Sequence, residues 1–64
     1  MNRFEIVTLR LRAGLRQYQL AALLGVTQTA LCDLERGRRS ITQDDERRIR
    51  QAITHAQEAS QPNH

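Results

Sequence analysis

Each of the three glycines in this chain, Gly14, Gly25 and Gly37, stands just past a run of residues whose apolar positions recur at helical spacing. A glycine there ends a helix readily, because it enters the left-handed conformation with no Cβ to clash. The chain is thereby cut into short helices. The first is expected from Asn2 to Ala13, the second from Gln17 to Leu24 with Leu20, Leu23 and Leu24 in phase, and the third from an N-cap at Thr27 through Gln28 to Arg36. After the basic loop holding Arg38 and Arg39, the run Thr42, Gln43, Asp44, Asp45 reads as a capping box that opens a fourth helix. That helix carries the stripe Ile49, Ala52, Ile53 and Ala56 and is expected to reach about Ala59. Pro62 lies beyond it, and Ser60 to His64 are expected to fray.

Phe4 and Tyr18 are the only aromatic residues, so the core must be assembled from Leu, Ile, Val and Ala on helices rather than from aromatic-rich strands. At 64 residues there is room for one small domain. The expected architecture is all-α: a compact domain of four helices, or at most five, over residues 1–59, followed by a short tail over 60–64. A core of this size is marginal and needs a staple, self-association or very regular packing. Cys32 is the single cysteine, so no internal disulfide forms, and with His55 and His64 it makes no zinc ligand set. No metal and no cofactor are expected.

All ten basic residues are arginine, against seven acidic ones, for a formal net charge of +3. Arginine offers a rigid fork of donors that suits phosphate oxygens and guanine edges, although such a charge also serves solubility alone. The longest apolar run, Leu20 to Val26, is interrupted by Gly25 and falls far short of the roughly 20 residues that span a bilayer. No signal-peptide pattern opens the chain, so a soluble, cytoplasmic protein without membrane association is expected.

The segment from Gln17 to Arg36 carries the functional signal. Leu20, Leu24, Val26, Leu31 and Leu34 supply an internal core, Ala21 is small where two helices must approach, and Gly25 can take the positive φ of a tight turn. Only Gly25, Val26 and Thr27 separate the two helices, which forces them to cross steeply. These requirements met together are a strong signal for a DNA-binding helix-turn-helix; the alternative is a plain three- or four-helix bundle whose turn happens to contain glycine.

The residues Arg10, Gly14, Leu15, Gln17, Leu20, Ala21, Gly25, Val26, Thr27 and Gln28, followed by Leu31, Leu34, Glu35, Arg36 and Gly37, resemble the phage repressor and Cro family of helix-turn-helix proteins. The resemblance covers about residues 6 to 40. It implies a lambda repressor-like helical domain that binds operator DNA as a homodimer, with Thr27 to Arg36 as the recognition helix. It further implies that Gln17 contacts a phosphate and braces the first reader of the next helix, and that Arg10 and Glu35 form a structural ion pair. Family members commonly carry two further helices after Gly37, whereas here one longer helix closes the fold. The family's usual dimer surface is therefore not assumed for this chain.

On the third helix, Ala30, Leu31 and Leu34 turn inward, which leaves Gln28, Thr29, Cys32, Asp33 and Arg36 outward as candidate base readers. Gln28 stands in the first turn, the part of a recognition helix that reaches base edges first, and its amide suits adenine N6 and N7. The resemblance points to the same residue. Thr29 suits a thymine methyl or a phosphate. Asp33 suits a cytosine amino group or, equally, an ordinary pairing with Arg36 or another neighbour. Gln17, Tyr18, Arg38, Arg39 and Ser40 are the candidate phosphate contacts. Tyr18 also reads as a half-buried surface ring, and arginines beside a helix C-terminus are favoured by the dipole without any ligand. Cys32 reads as a small residue near the groove, and His55 as a surface residue.

Phe4, Val7 and Leu11 share the face of the first helix opposite Ile6, Leu9 and Ala13, so they form a candidate dimer or partner surface. Two functions of different class follow. One is a homodimeric, double-stranded-DNA-binding repressor of phage or mobile-element type, acting on an inverted-repeat operator and on its own promoter, with no small-molecule ligand. The other is an antitoxin-like or adaptor module that holds a different protein on the spare face of the first helix. An enzyme is not expected: Cys32 and His55 lack an orienting third group, and so short a chain hardly encloses a substrate pocket.

Overall fold

In the computed structural model, which describes residues 1–60 with side chains to residue 58, four helices follow one another: α1 (Arg3–Arg12), α2 (Gln17–Leu24), α3 (Gln28–Arg36) and α4 (Gln43–Ser60). The described residues contain no strand. Helix starts are set by side chains that satisfy free backbone N–H groups. Asn2 Oδ1 accepts from the Glu5 N–H at 3.0 Å while Glu5 Oε1 accepts from the Asn2 N–H at 3.4 Å, a capping box. Thr27 Oγ1 accepts from the Ala30 N–H at 3.1 Å. Thr42 and Asp45 exchange the same pair of bonds, at 3.0 and 3.1 Å, before α4. At α2 the Arg16 N–H donates to Gln19 Oε1 at 2.8 Å.

The helix ends follow the glycines. Gly25 and Gly37 cap α2 and α3 in the left-handed region, at φ 72° and 77°. α4 runs through Ser60, one residue past its expected end, and the rest of the expected tail, 61–64 with Pro62, lies outside the described residues.

Ile6 of α1, Leu20, Ala21 and Leu24 of α2, Leu31 and Leu34 of α3, and Ile49 and Ile53 of α4 form one buried cluster. α3 packs on both α1 and α2, and α4 packs on α2 and α1. Met1, Leu15 and Ile41, which belong to no periodic stripe, pack against this cluster from the chain start and the loops. Leu23 departs from the expected stripe of α2 and is 44% exposed. Leu20, Ala21 and Leu24 lie within about 100° of helix surface, and Leu23 falls outside that arc.

Several arginines hold the fold together. The Arg3 guanidinium donates to the Arg36 carbonyl at 3.1 Å, at the C-terminal end of α3, and Arg48 donates to the Leu24 carbonyl at the end of α2. Both satisfy carbonyls that have no partner within their own helix. The Met1 ammonium lies 2.6 Å from Glu46 Oε1, and Arg50 approaches Glu5 at 3.6 Å and Glu46 at 3.9 Å. The hydrogen bond from the Met1 ammonium outweighs the opposing effect of desolvation and, with the lesser help of the charges of that ammonium and Arg50, holds the Glu46 carboxyl below its usual value. No helix among the described residues is long and apolar enough to cross a membrane.

Candidate nucleic-acid interface

The tight crossing of α2 and α3 brings their N-terminal turns together, and a chain of polar side chains joins them. Arg10 on α1 donates from Nε to Glu35 Oε2 at 2.8 Å and from Nη2 to Glu35 Oε1 at 3.2 Å, while its Nη1 donates to the Leu15 carbonyl at 3.1 Å. Glu35 Oε1 also accepts from Gln17 Nε2 at 3.1 Å. Gln17 Oε1 in turn accepts from Gln28 Nε2 at 3.3 Å. The sequence is thus Arg10, Glu35, Gln17, Gln28, from a shielded ion pair to an exposed amide. The side chains of Arg10 and Glu35 are only 13% and 6% exposed. The bond between Glu35 and Gln17 carries no motif of its own; its one sequence signal is that Glu35 lies on α3 close in angle to Gln28, on the flank that faces α2.

Along α3, Leu31 and Leu34 are buried and Ala30 is half-buried, so the inward stripe is the one that the apolar spacing predicts. Gln28, Thr29 and Arg36 are exposed, whereas Cys32 and Asp33 are half-buried. Asp33 lies 3.8 Å from Arg38, not beside Arg36, because the chain reverses at Gly37 and the Arg38 N–H returns to the Asp33 carbonyl at 2.8 Å. Of the two pairings open to this carboxylate, the turn selects the residue beyond the helix.

The candidate phosphate contacts fall into two groups that flank α3. Gln17 and Tyr18 occupy the first turn of α2, Gln17 half-buried in the polar chain and Tyr18 56% exposed. Arg38, Arg39 and Ser40 are exposed beyond the other end of α3. Arg39 and Ser40 line a partly open groove of about 370 Å³ together with the apolar residues Leu24, Val26, Leu34 and Ile49 and with Arg48. Neither Cys32 nor His55 borders it. Among the described residues the guanidinium groups of Arg36 and Arg39 form no ion pair. Arg16, exposed one residue before Gln17, adds a cation near the start of α2 that no motif announces.

On α1, Phe4 is 64% and Leu11 62% exposed, and Val7 between them is half-buried. The Arg3 guanidinium stacks 4.5 Å above the Phe4 ring and shields part of it. Among the described residues no group of three potential metal ligands comes together.

Comparison with protein-family models matches residues 6–53, three-quarters of the chain, to the helix-turn-helix model. The chain belongs to the helix-turn-helix family of phage repressor and Cro type. No curated protein and no solved structure matches it. The matched span runs from Ile6 to Ile53, so it takes in α2 and α3 whole, most of α1 and the part of α4 that contributes to the core. In this helix-turn-helix protein α2 and α3 form the two-helix motif, α1 and α4 form its support, and the family's function is that of a DNA-binding regulator.

Proposed function

We propose that the protein is a sequence-specific regulator of double-stranded DNA that acts as a homodimeric repressor of phage or mobile-element type, on an inverted-repeat operator that includes its own promoter. The observation that carries this reading is the polar chain ending at Gln28. It supports an outward amide at the N-terminal turn of α3, where a helix in the major groove meets base edges first. Gln28, Thr29 and Arg36 read bases from the exposed side of α3, with Cys32 and Asp33 at its edge. Gln17 and Tyr18 hold phosphates on one flank, and Arg38, Arg39 and Ser40 hold them on the other. Residues 1–59 act as one DNA-binding domain, and Phe4, Val7 and Leu11 supply its contact with a second copy. The domain works in the cytoplasm without a small-molecule effector, so its own concentration and the affinity of the site set occupancy. Selection from random duplexes followed by gel shift tests this reading. Enrichment of an inverted repeat is the expected result, and failure to enrich any sequence would remove it.

A further inference from the structure

The polar chain has a direction. Glu35 is a carboxylate whose two oxygens can only accept, and both already face donors of Arg10 at 2.8 and 3.2 Å. The Gln17 amide beside it must therefore turn its nitrogen toward Glu35, as it does at 3.1 Å, and its oxygen away. That oxygen meets Gln28, so Gln28 must turn its own nitrogen inward, as it does at 3.3 Å. Reversing either amide would set oxygen against oxygen or nitrogen against nitrogen. With one N–H bonded to Gln17, Gln28 keeps its Oε1 and its second N–H free. That is a paired acceptor and donor, matched to the N6 donor and N7 acceptor of adenine. An amide turned the other way would present two donors, matched instead to the O6 and N7 acceptors of guanine.

We propose that Glu35 is a positioning residue for base specificity: acting through Gln17, its carboxylate fixes the polarity of the Gln28 amide and so selects adenine over guanine at the position that Gln28 reads. This rests on the reading of Gln28 as a base contact and assigns to the shielded ion pair a role beyond stability. Gln17→Met keeps the length of the side chain, leaves Arg10 and Glu35 paired and removes both amide bonds. Glu35→Gln places at the origin of the chain an amide that can offer Gln17 either a donor or an acceptor.

The experiment is selection from random duplexes with the wild-type protein, Gln28→Ala, Gln17→Met and Glu35→Gln, with a melting curve for each. Gln28→Ala should flatten preference at one position per half-site and so identify the position read. At that position the adenine-over-guanine ratio should fall about tenfold in Gln17→Met and in Glu35→Gln, while preferences elsewhere stay as they are. Any loss of overall affinity from a phosphate contact of Gln17 scales all sequences together and leaves that ratio untouched. If Gln28→Ala alters no position, the base-contact reading fails and the proposal with it. If Gln28→Ala flattens a position at which Gln17→Met keeps the full ratio, the relay alone is overturned. A folded Glu35→Gln with an intact ratio overturns the role of the carboxylate. Should Glu35→Gln not fold, the ratio in Gln17→Met decides.

Discussion

Arg10 and Glu35, 25 positions apart in the chain, meet in a two-point contact between α1 and the last turn of α3, with Nε to Oε2 at 2.8 Å and Nη2 to Oε1 at 3.2 Å. The planar guanidinium matches the carboxylate edge, its remaining nitrogen Nη1 donates to the Leu15 carbonyl, and Gln17 donates a second bond to Glu35 Oε1. Charges this well shielded persist only because each of their hydrogen-bonding groups is satisfied.

Glu35→Ala strands a nearly buried guanidinium with only the Leu15 carbonyl, at a cost of about 3 to 5 kcal/mol. For a domain of this length each kcal/mol lowers Tm by about 4 to 8 °C, so the thermal midpoint should fall well below that of the wild type. A melting curve unchanged from the wild type would show that the pair does not support the fold.

Base readers and phosphate clamps should separate. Gln28→Ala should cost about 1 to 3 kcal/mol on the preferred operator and little on random duplex. Arg39→Ala should weaken both alike and reduce the slope of log affinity against log salt by about 0.9, twice that in a symmetric dimer. Binding isotherms over a salt series make the distinction, and a changed base preference in Arg39→Ala with an intact salt slope would reverse the assignment.

Phe4 and Leu11 are 64% and 62% exposed on one face of α1, apolar surface of the kind that a second copy would cover. Sedimentation at micromolar concentration should give a dimer, and Phe4→Ser with Leu11→Ser should give a monomer of unchanged helicity. In the dimer the two recognition helices should lie about 34 Å apart to enter successive major grooves. A wild-type protein that is strictly monomeric both free and on DNA would rule out the homodimer.

Glu46 should add an acid-dependent increment of stability. Its carboxyl titrates lower in the folded chain than its ordinary value of 4.5, so the unfolded chain binds the proton more readily. The contribution is therefore present above the ordinary value and is lost as pH falls through the lowered one. Melting curves between about pH 6 and pH 3 should show a shallower loss of stability in Glu46→Gln than in the wild type.

Gly25 and Gly37 share a left-handed backbone but not their surroundings. A Cβ at Gly25 meets nothing within 4 Å, whereas one at Gly37 would sit 3.0 Å from Arg3 Cδ. Gly25→Ala should cost about 1 to 2 kcal/mol for the backbone alone. Gly37→Ala should cost at least as much and should also loosen the Arg3 cap on α3. Chemical denaturation of the two variants, alone and combined with Arg3→Ala, measures the difference.

Local rules account for most of the helix map. The glycine stops, the threonine caps at Thr27 and Thr42, and the inward spacing of Leu31 and Leu34 act within a few residues of chain, so periodicity alone exposes them. The spacing from Gln17 to Gly37 likewise carries the helix-turn-helix without any knowledge of what packs behind it. Contacts between distant residues obey no such period. The family resemblance announces the ion pair of Arg10 with Glu35, but nothing local reveals that Arg3 and Arg48 cap helices or that Arg39 forms no ion pair among the described residues. Leu23 has the same apolar character as Leu20, and only the direction from which α3 and α4 approach α2 decides that one is buried and the other is not. Asp33 pairs with Arg38 because the backbone reverses at Gly37. The bond from Gln17 to Glu35 forms because the packing of α1, α2 and α3 brings three remote side chains to one point, and the acceptor-only chemistry of a carboxylate then orders the amides that follow.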